Sequence, residues 1–179
     1  MENKKKVFYI NHSGGAVGAD YEWSKQGATY GVVSRHYWYG QCTPYGNVKV
    51  SEEDFEEGQR RVLLANRVLH RRPERYMSLL ARDYCQVKYA EAIFAIGQLY
   101  RGNVKGGTGW AVQMAIDDGK PVYLFDQEQG TWLTLKEGSW NRCEVPVLTQ
   151  NFAGIGSRNI TKRGIQAIEA VYRKTFGEQ

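Results

Sequence analysis

Apolar residues along the chain fall into short runs broken by glycine-rich or polar segments, and the runs alternate between strand-like and helix-like spacing. Val7-Phe8-Tyr9-Ile10 is a β-prone run ending at Ser13-Gly14-Gly15, and Ala19 to Thr29 reads as a helix that begins near the glycines. Val32 to Tyr39, rich in β-branched and aromatic residues, predicts the next strand, closed by Gly40 and the Pro44-Tyr45-Gly46 loop. Ser51-Glu52-Glu53-Asp54 has a serine N-cap with acids in the first turn, and Phe55, Val62, Leu63 and Val68 follow at mostly helical spacing. Pro73 opens a further helix carrying Tyr76, Leu79, Leu80 and Val87.

Ala92-Ile93-Phe94-Ala95-Ile96 is continuously apolar, the signature of a strand buried on both faces in a parallel sheet covered by helices. The turn Lys105-Gly106-Gly107-Thr108-Gly109 leads into a helix from Trp110 to Asp118, and Pro121 to Asp126 is again a strand. Residues 128–149 predict a hairpin or irregular excursion. Asn151 to Arg158 is another strand with a glycine turn, and Ile165, Ile168, Ala170, Val171 and Phe176 suit an amphipathic closing helix. The alternation predicts an α/β fold, a Rossmann-like parallel sheet flanked by helices, with residues 1–179 as a single domain.

Composition sharpens this picture. A chain of 179 residues, 42% of them hydrophobic, can close one core without disulfides or metal. The net charge of +5 raises nucleic acid as a partner, but the basic residues are interleaved with 19 acidic ones. Only Lys4-Lys5-Lys6 and Arg71-Arg72 cluster, which disfavours nucleic acid. Cys42, Cys85 and Cys143 have neither disulfide nor zinc spacing and suit a reducing cytoplasm. The first apolar run is too short for a signal sequence or a membrane span. The expectation is a cytoplasmic protein with no membrane, metal or cofactor.

A glycine turn after a parallel strand leaves no Cβ in a ligand's way, and the next helix offers unpaired N–H groups, so phosphate is the natural guest. In an open α/β sheet such turns share one edge and should converge. The candidates are Ser13, Gly14, Gly15, Ala16, Gly18 and Asp20 in the first turn, with His12 beside it. Gly106, Gly107, Thr108 and Gly109 form the second, and Gly154, Gly156, Ser157 and Arg158 the third. Asp20 can cap its helix or serve as an acid, and Asp126 can close a turn or bind ribose hydroxyls. His36 reads as a structural or rim residue. Trp38, Tyr39, Trp132 and Trp140 can stack on a base, form a subunit interface or pack in the core. Neither the dinucleotide fingerprint G-x-G-x-x-G in its usual setting nor the phosphate loop G-x-x-x-x-G-K-[ST] occurs.

Ser-Gly-Gly-Ala-Val-Gly-Ala-Asp at 13–20, Gly-Gly-Thr-Gly at 106–109 and Ala-Gly-Ile-Gly-Ser-Arg at 153–158 together resemble the SLOG superfamily. That superfamily includes the DNA-processing Smf/DprA proteins, the LOG phosphoribohydrolases and small phage and bacterial proteins. The resemblance spans most of the chain, apart from roughly residues 40–70 and 128–149. Relatives usually start with the A-G-I-G-S-R strand, which comes last here. The resemblance therefore implies a circular permutation, the alternative being a final unit added at the other sheet edge.

The resemblance also implies that Arg82 holds a phosphate or carboxylate, whereas the residue alone reads equally as a helix-surface salt-bridge partner. Glutamates that follow the P-G-G-x-G-T motif of the hydrolase branch are replaced here by Val112 and Gln113. A neutral amide cannot act as a general base near pH 7, so recognition is favoured over hydrolysis. The resemblance further implies a nucleotide-derived small molecule, such as an ADP-ribose-type signal, held by a sensor or sequestering protein in phage–host conflict, and a homo-oligomer. The alternatives are an N-glycosidase or phosphoribohydrolase using Asp20 or Asp126, and DprA-like DNA binding, which needs a contiguous basic face.

Overall fold

A computed structural model describes residues 7–65, 67 and 73–179; Lys4-Lys5-Lys6, Val68 and Arg71-Arg72 lie outside them. The elements in chain order are β1 (Ile10–Ser13), α1 (Ala19–Thr29), β2 (Val33–Trp38), β3 (Val48–Lys49) and α2 (Glu52–Ala65). A 3-10 turn at Pro73–Tyr76 leads into α3 (Met77–Tyr89), then β4 (Ala92–Gly97), the short pair β5 (Leu99–Tyr100) and β6 (Asn103–Val104), and α4 (Thr108–Asp117). The chain ends with β7 (Val122–Asp126), β8 (Thr131–Lys136), β9 (Ser139–Arg142), β10 (Asn151–Gly156) and α5 (Lys162–Phe176). No described helix is long and apolar enough to cross a membrane.

The fold is α/β and Rossmann-like, with the main sheet ordered β3-β2-β1-β10-β4-β7-β8-β9. From β3 to β7 every neighbour is parallel, while β8 and β9 continue the edge as an antiparallel meander built from the 128–149 excursion. β10 lies between β1 and β4, so it does not extend an edge. Counted as the first strand, with the two-residue edge strand β3 and the antiparallel β8 and β9 set aside, it gives the 3-2-1-4-5 order of a doubly wound sheet. The segment before β1 meets α5, the Tyr9 ring standing edge-on to Phe176 at 4.8 Å, and the Gln179 side chain donates to the Thr29 carbonyl.

The core lies on both faces of β4 and β10. Ala92, Phe94, Ile96 and Phe152 pack with Trp23 of α1 and Ile168, Val171 and Tyr172 of α5. Ile93, Ala95, Ala153 and Ile155 face Leu80, Tyr84 and Val87 of α3 and Trp110 and Met114 of α4. Alternate residues of a strand point to opposite faces, which is why the unbroken apolar run at 92–96 belongs at the centre.

The first strand departs from its hydrophobic pattern. Val7 and Phe8 are exposed, whereas the strand is Ile10-Asn11-His12-Ser13, with its polar residues buried. These polar groups are tolerated because they are largely bonded. Asn11 donates to Ser34 Oγ (3.2 Å) and accepts the Gly154 N–H (2.9 Å), and His12 lies between Tyr37 and Asn151.

Two of the candidate glycines turn out to be packing positions. A Cβ on Gly154 would stand 2.6 Å from the Trp23 ring, and one on Gly109 would strike the Val104 carbonyl. Gly154→Ala should cost about 1–3 kcal/mol of stability by overpacking against Trp23, read from the urea midpoint. An unchanged midpoint would show that the indole is not seated on this glycine.

Candidate functional site

The carboxyl ends of the parallel strands open into a cavity of about 950 Å³. From the first turn it takes Gly15, Ala16, Val17 and Asp20, and from the β2–β3 loop Thr43, Pro44 and Tyr45. Helix α3 contributes Leu79, Arg82, Asp83 and Gln86. The β5–β6 region and α4 contribute Gln98, Lys105, Gly106, Gly107, Thr108 and Ala111. Gln127 and Glu128 follow β7, and Ile155, Gly156, Ser157, Arg158, Asn159 and Thr161 follow β10. All three glycine turns therefore converge: the first and third follow the parallel strands β1 and β10, and the second follows the antiparallel β5–β6 pair that succeeds β4.

The turns differ in what their glycines do. Gly106 (φ +70) and Gly107 would meet nothing within 4 Å of an added Cβ, so they face open space. Gly107 is also the N-cap of α4 and brings no side-chain acceptor; the Gly109 and Trp110 N–H groups turn back to the Gly106 (3.2 Å) and Gly107 (3.0 Å) carbonyls, so the donors left at this helix start are those of Gly107 and Thr108. In the first turn, a Cβ on Gly14 would press on Gln86 and Arg82, one on Gly15 would come within 2.9 Å of the His36 ring, and one on Gly18 would hit the Ser157 and Arg158 carbonyls. Gly156 is closed off by the Ile96 carbonyl. These four let backbone approach backbone or a buried side chain; among the candidates only Gly106 and Gly107 of the α4 turn face open space. Thr161, by contrast, caps α5 itself by accepting the Gly164 N–H at 3.2 Å.

Asp20 ties the first turn to the third. Its Oδ2 accepts the Ala16 N–H at 3.5 Å and its Oδ1 the Gly156 N–H at 3.1 Å. Burial pushes its carboxyl up to about 6; the Arg82 charge pulls the other way, and Asp83 adds to the rise. Arg82 is itself buried: Nη1 donates to the carbonyls of Gly14 (3.3 Å) and Tyr37 (3.1 Å), and Nη2 pairs with Asp83 at 2.8 Å. The helix-surface salt bridge considered for it thus exists, but inside the protein, where the guanidinium also braces the first turn. Its Nε has no partner among the described residues.

Several candidates lie off the cavity wall. His12 Nε2 meets the Asn151 Oδ1 acceptor at 2.9 Å and must donate to it, leaving Nδ1 to accept from the Tyr37 hydroxyl at 2.8 Å. Both nitrogens are used by the scaffold, and burial lowers the imidazole below its ordinary value. Ser13 is fully buried, and its hydroxyl has no partner among the described residues. Asp126 closes the turn after β7: it accepts from the backbone N–H groups of Glu128 (2.9 Å) and Gln129 (3.1 Å) and pins the Leu99 N–H at 3.1 Å. Val112 is buried in the core, and Gln113 turns to Asp117 on its own helix at 2.9 Å, so neither reaches the cavity.

Other wall residues were not anticipated. Leu79, Arg82, Asp83 and Gln86 share one side of α3, a stripe whose i, i+3, i+4, i+7 spacing was available once Arg82 was singled out. Tyr45 reads in the sequence only as part of the Pro44-Tyr45-Gly46 loop. Lys105 donates to Gln98 Oε1 at 3.1 Å, and exposed Arg158 has no carboxylate partner among the described residues, so both bring positive charge to the rim. The chain matches no protein-family model, no curated protein and no solved structure.

The buried titrating groups give opposite pH slopes. The Asp20 carboxyl is raised from 3.8 to about 6 on folding, so its stabilising contribution is complete below about pH 4 and is lost as pH rises through about 6. His12 and His36 are lowered from 6.5 by burial, so the unfolded chain protonates first and stability falls as pH drops below about 6.5. Asp20→Asn removes only the first slope. The difference in unfolding free energy between wild type and variant should change by on the order of 2–3 kcal/mol from pH 4 to pH 7. A pH-independent difference would mean that Asp20 titrates normally.

Proposed function

We propose that the cavity binds a phosphate-bearing nucleotide or nucleotide-derived small molecule, and that the protein acts as a sensor or sequestering protein that holds this molecule uncleaved. The observation that carries this reading is the convergence of three glycine turns on one cavity, with Gly106 and Gly107 bare at the start of α4. An anionic oxygen can approach such a helix start closely, with Lys105 and Arg158 nearby to offset its charge. The volume of about 950 Å³ admits a ligand of nucleotide size.

The state of the wall acids supports capture. N-glycosidic cleavage needs an acid free to exchange a proton at the scissile bond. Asp20 spends both oxygens on backbone N–H groups, Asp83 is paired with Arg82, and Glu128 accepts from the Gln98 amide. One observation favours a hydrolase: the Asp20 carboxyl is raised to about 6, the range of a working general acid. The resemblance to SLOG proteins makes ADP-ribose the first ligand to try.

Calorimetric titration with AMP, ADP, NAD and ADP-ribose, followed by recovery of the ligand from denatured protein, separates these readings. Capture returns the ligand unchanged. Free base and ribose phosphate would overturn capture in favour of hydrolysis, and absence of binding across the panel would overturn both.

Gly107→Val is the discriminating variant, because the residue's φ of −61° and ψ of −35° suit any L-residue and its side chain would enter open space. Affinity should fall at least tenfold with the melting temperature retained. Undiminished affinity would place the phosphate elsewhere. Gly15→Val and Arg82→Ala are poorer tests, since Gly15 has a φ of +64° against His36 and Arg82 braces Gly14 and Tyr37.

A further inference from the structure

The cavity wall is chemically uneven. Around the α4 and β10 turns it is polar, but where the β2–β3 loop faces α1 and α3 it is formed by Val17, Pro44, Tyr45 and Leu79. Val17, Tyr45 and Leu79 expose 65%, 52% and 49% of their surface, which marks an apolar patch left open to solvent at the mouth of a polar crevice.

The loop that presents Tyr45 is built in advance. The Gly46 N–H returns to the Thr43 carbonyl at 3.0 Å, and His36 Nδ1 donates to the Tyr45 carbonyl at 2.9 Å. Asn47 accepts the His36 N–H at 2.8 Å and donates to the Ser34 carbonyl at 2.9 Å, which fixes the loop to β2. The Tyr45 ring leans against Tyr21, with centroids 5.8 Å apart. An exposed aromatic ring on a braced loop loses little freedom when a ligand stacks on it.

We infer that Tyr45, with Pro44 and Leu79, forms the subsite for the planar heterocyclic base of the ligand whose phosphate lies at the glycine turns. Tyr45 is then the specificity-determining residue that separates nucleotides from base-free sugar phosphates. This inference rests on the nucleotide-binding reading and specifies which end of the ligand faces α4 and which faces the β2–β3 loop.

The test compares AMP and ADP-ribose with ribose 5-phosphate on wild type, Tyr45→Ala, Tyr45→Phe and Gly107→Val. Wild type should prefer the base-bearing probes. Tyr45→Ala should reduce their affinity about tenfold, the usual scale of one base–aromatic stack, while changing that for ribose 5-phosphate less than twofold. Tyr45→Phe should keep the preference, and Gly107→Val should weaken every probe. Tyr45→Trp provides a second readout: the added indole fluorescence should be quenched by AMP and not by ribose 5-phosphate.

A preference unchanged in Tyr45→Ala, or equal losses for all probes, would overturn the base subsite and leave the phosphate reading standing. Failure of wild type to bind any of the probes would overturn both.

Discussion

The central place of β10 is the constraint on which the rest of the structure depends. A strand drawn from the end of the chain sits between β1 and β4, so the cavity is assembled across it. β10 pairs with β4 over five positions, from Phe152–Ala92 to Gly156–Ile96, but with β1 over only two, Ile10–Asn151 and Asn11–Phe152. Where the ladder with β1 stops, side chains take over the exposed donors of β10: Asn11 Oδ1 accepts the Gly154 N–H and Asp20 Oδ1 the Gly156 N–H. Backbone donors cannot be left bare in the interior, and these two oxygens satisfy them while the strands part.

That arrangement explains why so much polarity is buried beside the site. Leaving a buried donor unpaired costs about 1–3 kcal/mol, so Asn11 and Asp20 are held in place by what their loss would uncover. Both bonds are far from local, joining residues 143 and 136 positions apart. The crevice cannot form until the last strand docks. Loop-closure entropy grows slowly with length, so the cost in equilibrium stability is modest. The contact of Tyr9 with Phe176 then joins the segment before β1 to α5.

These same long-range bonds set the limit of what the sequence reveals. The bounds of α1, the serine that starts α2, the fully buried β4 and the order of the longer strands and helices follow local pattern and were legible, whereas the two-residue strands β3, β5 and β6 were not. The first strand was misplaced by a few residues because hydrophobicity sees Val7 to Ile10 as the core run. It cannot see that Asn11 and His12 are made apolar in effect by partners at positions 151 and 154. Asp126 and Asp20 each had two readings, and only the placement of backbone N–H groups decided that the first closes a turn while the second bridges two. Tyr45 escaped notice because a tyrosine beside proline and glycine carries no signal until the loop's bracing by His36 and Asn47 is known.

The candidate glycines make a related point about motifs. Six of the eight, Gly14, Gly15, Gly18, Gly109, Gly154 and Gly156, are glycine because a Cβ would collide with the protein itself. A turn motif therefore records two demands that look alike in sequence: close approach of backbone to its own fold, and close approach of a ligand to backbone. Here the first demand accounts for most of the resemblance, and of the eight only Gly106 and Gly107 leave open space where a Cβ would stand. On the proposed reading, a molecule anchored there reaches the β2–β3 loop only by crossing the ends of β10 and β1. The strand that completes the sheet then lies beneath its middle, and Asp20, which joins the turns after those two strands, sets the floor over which it passes.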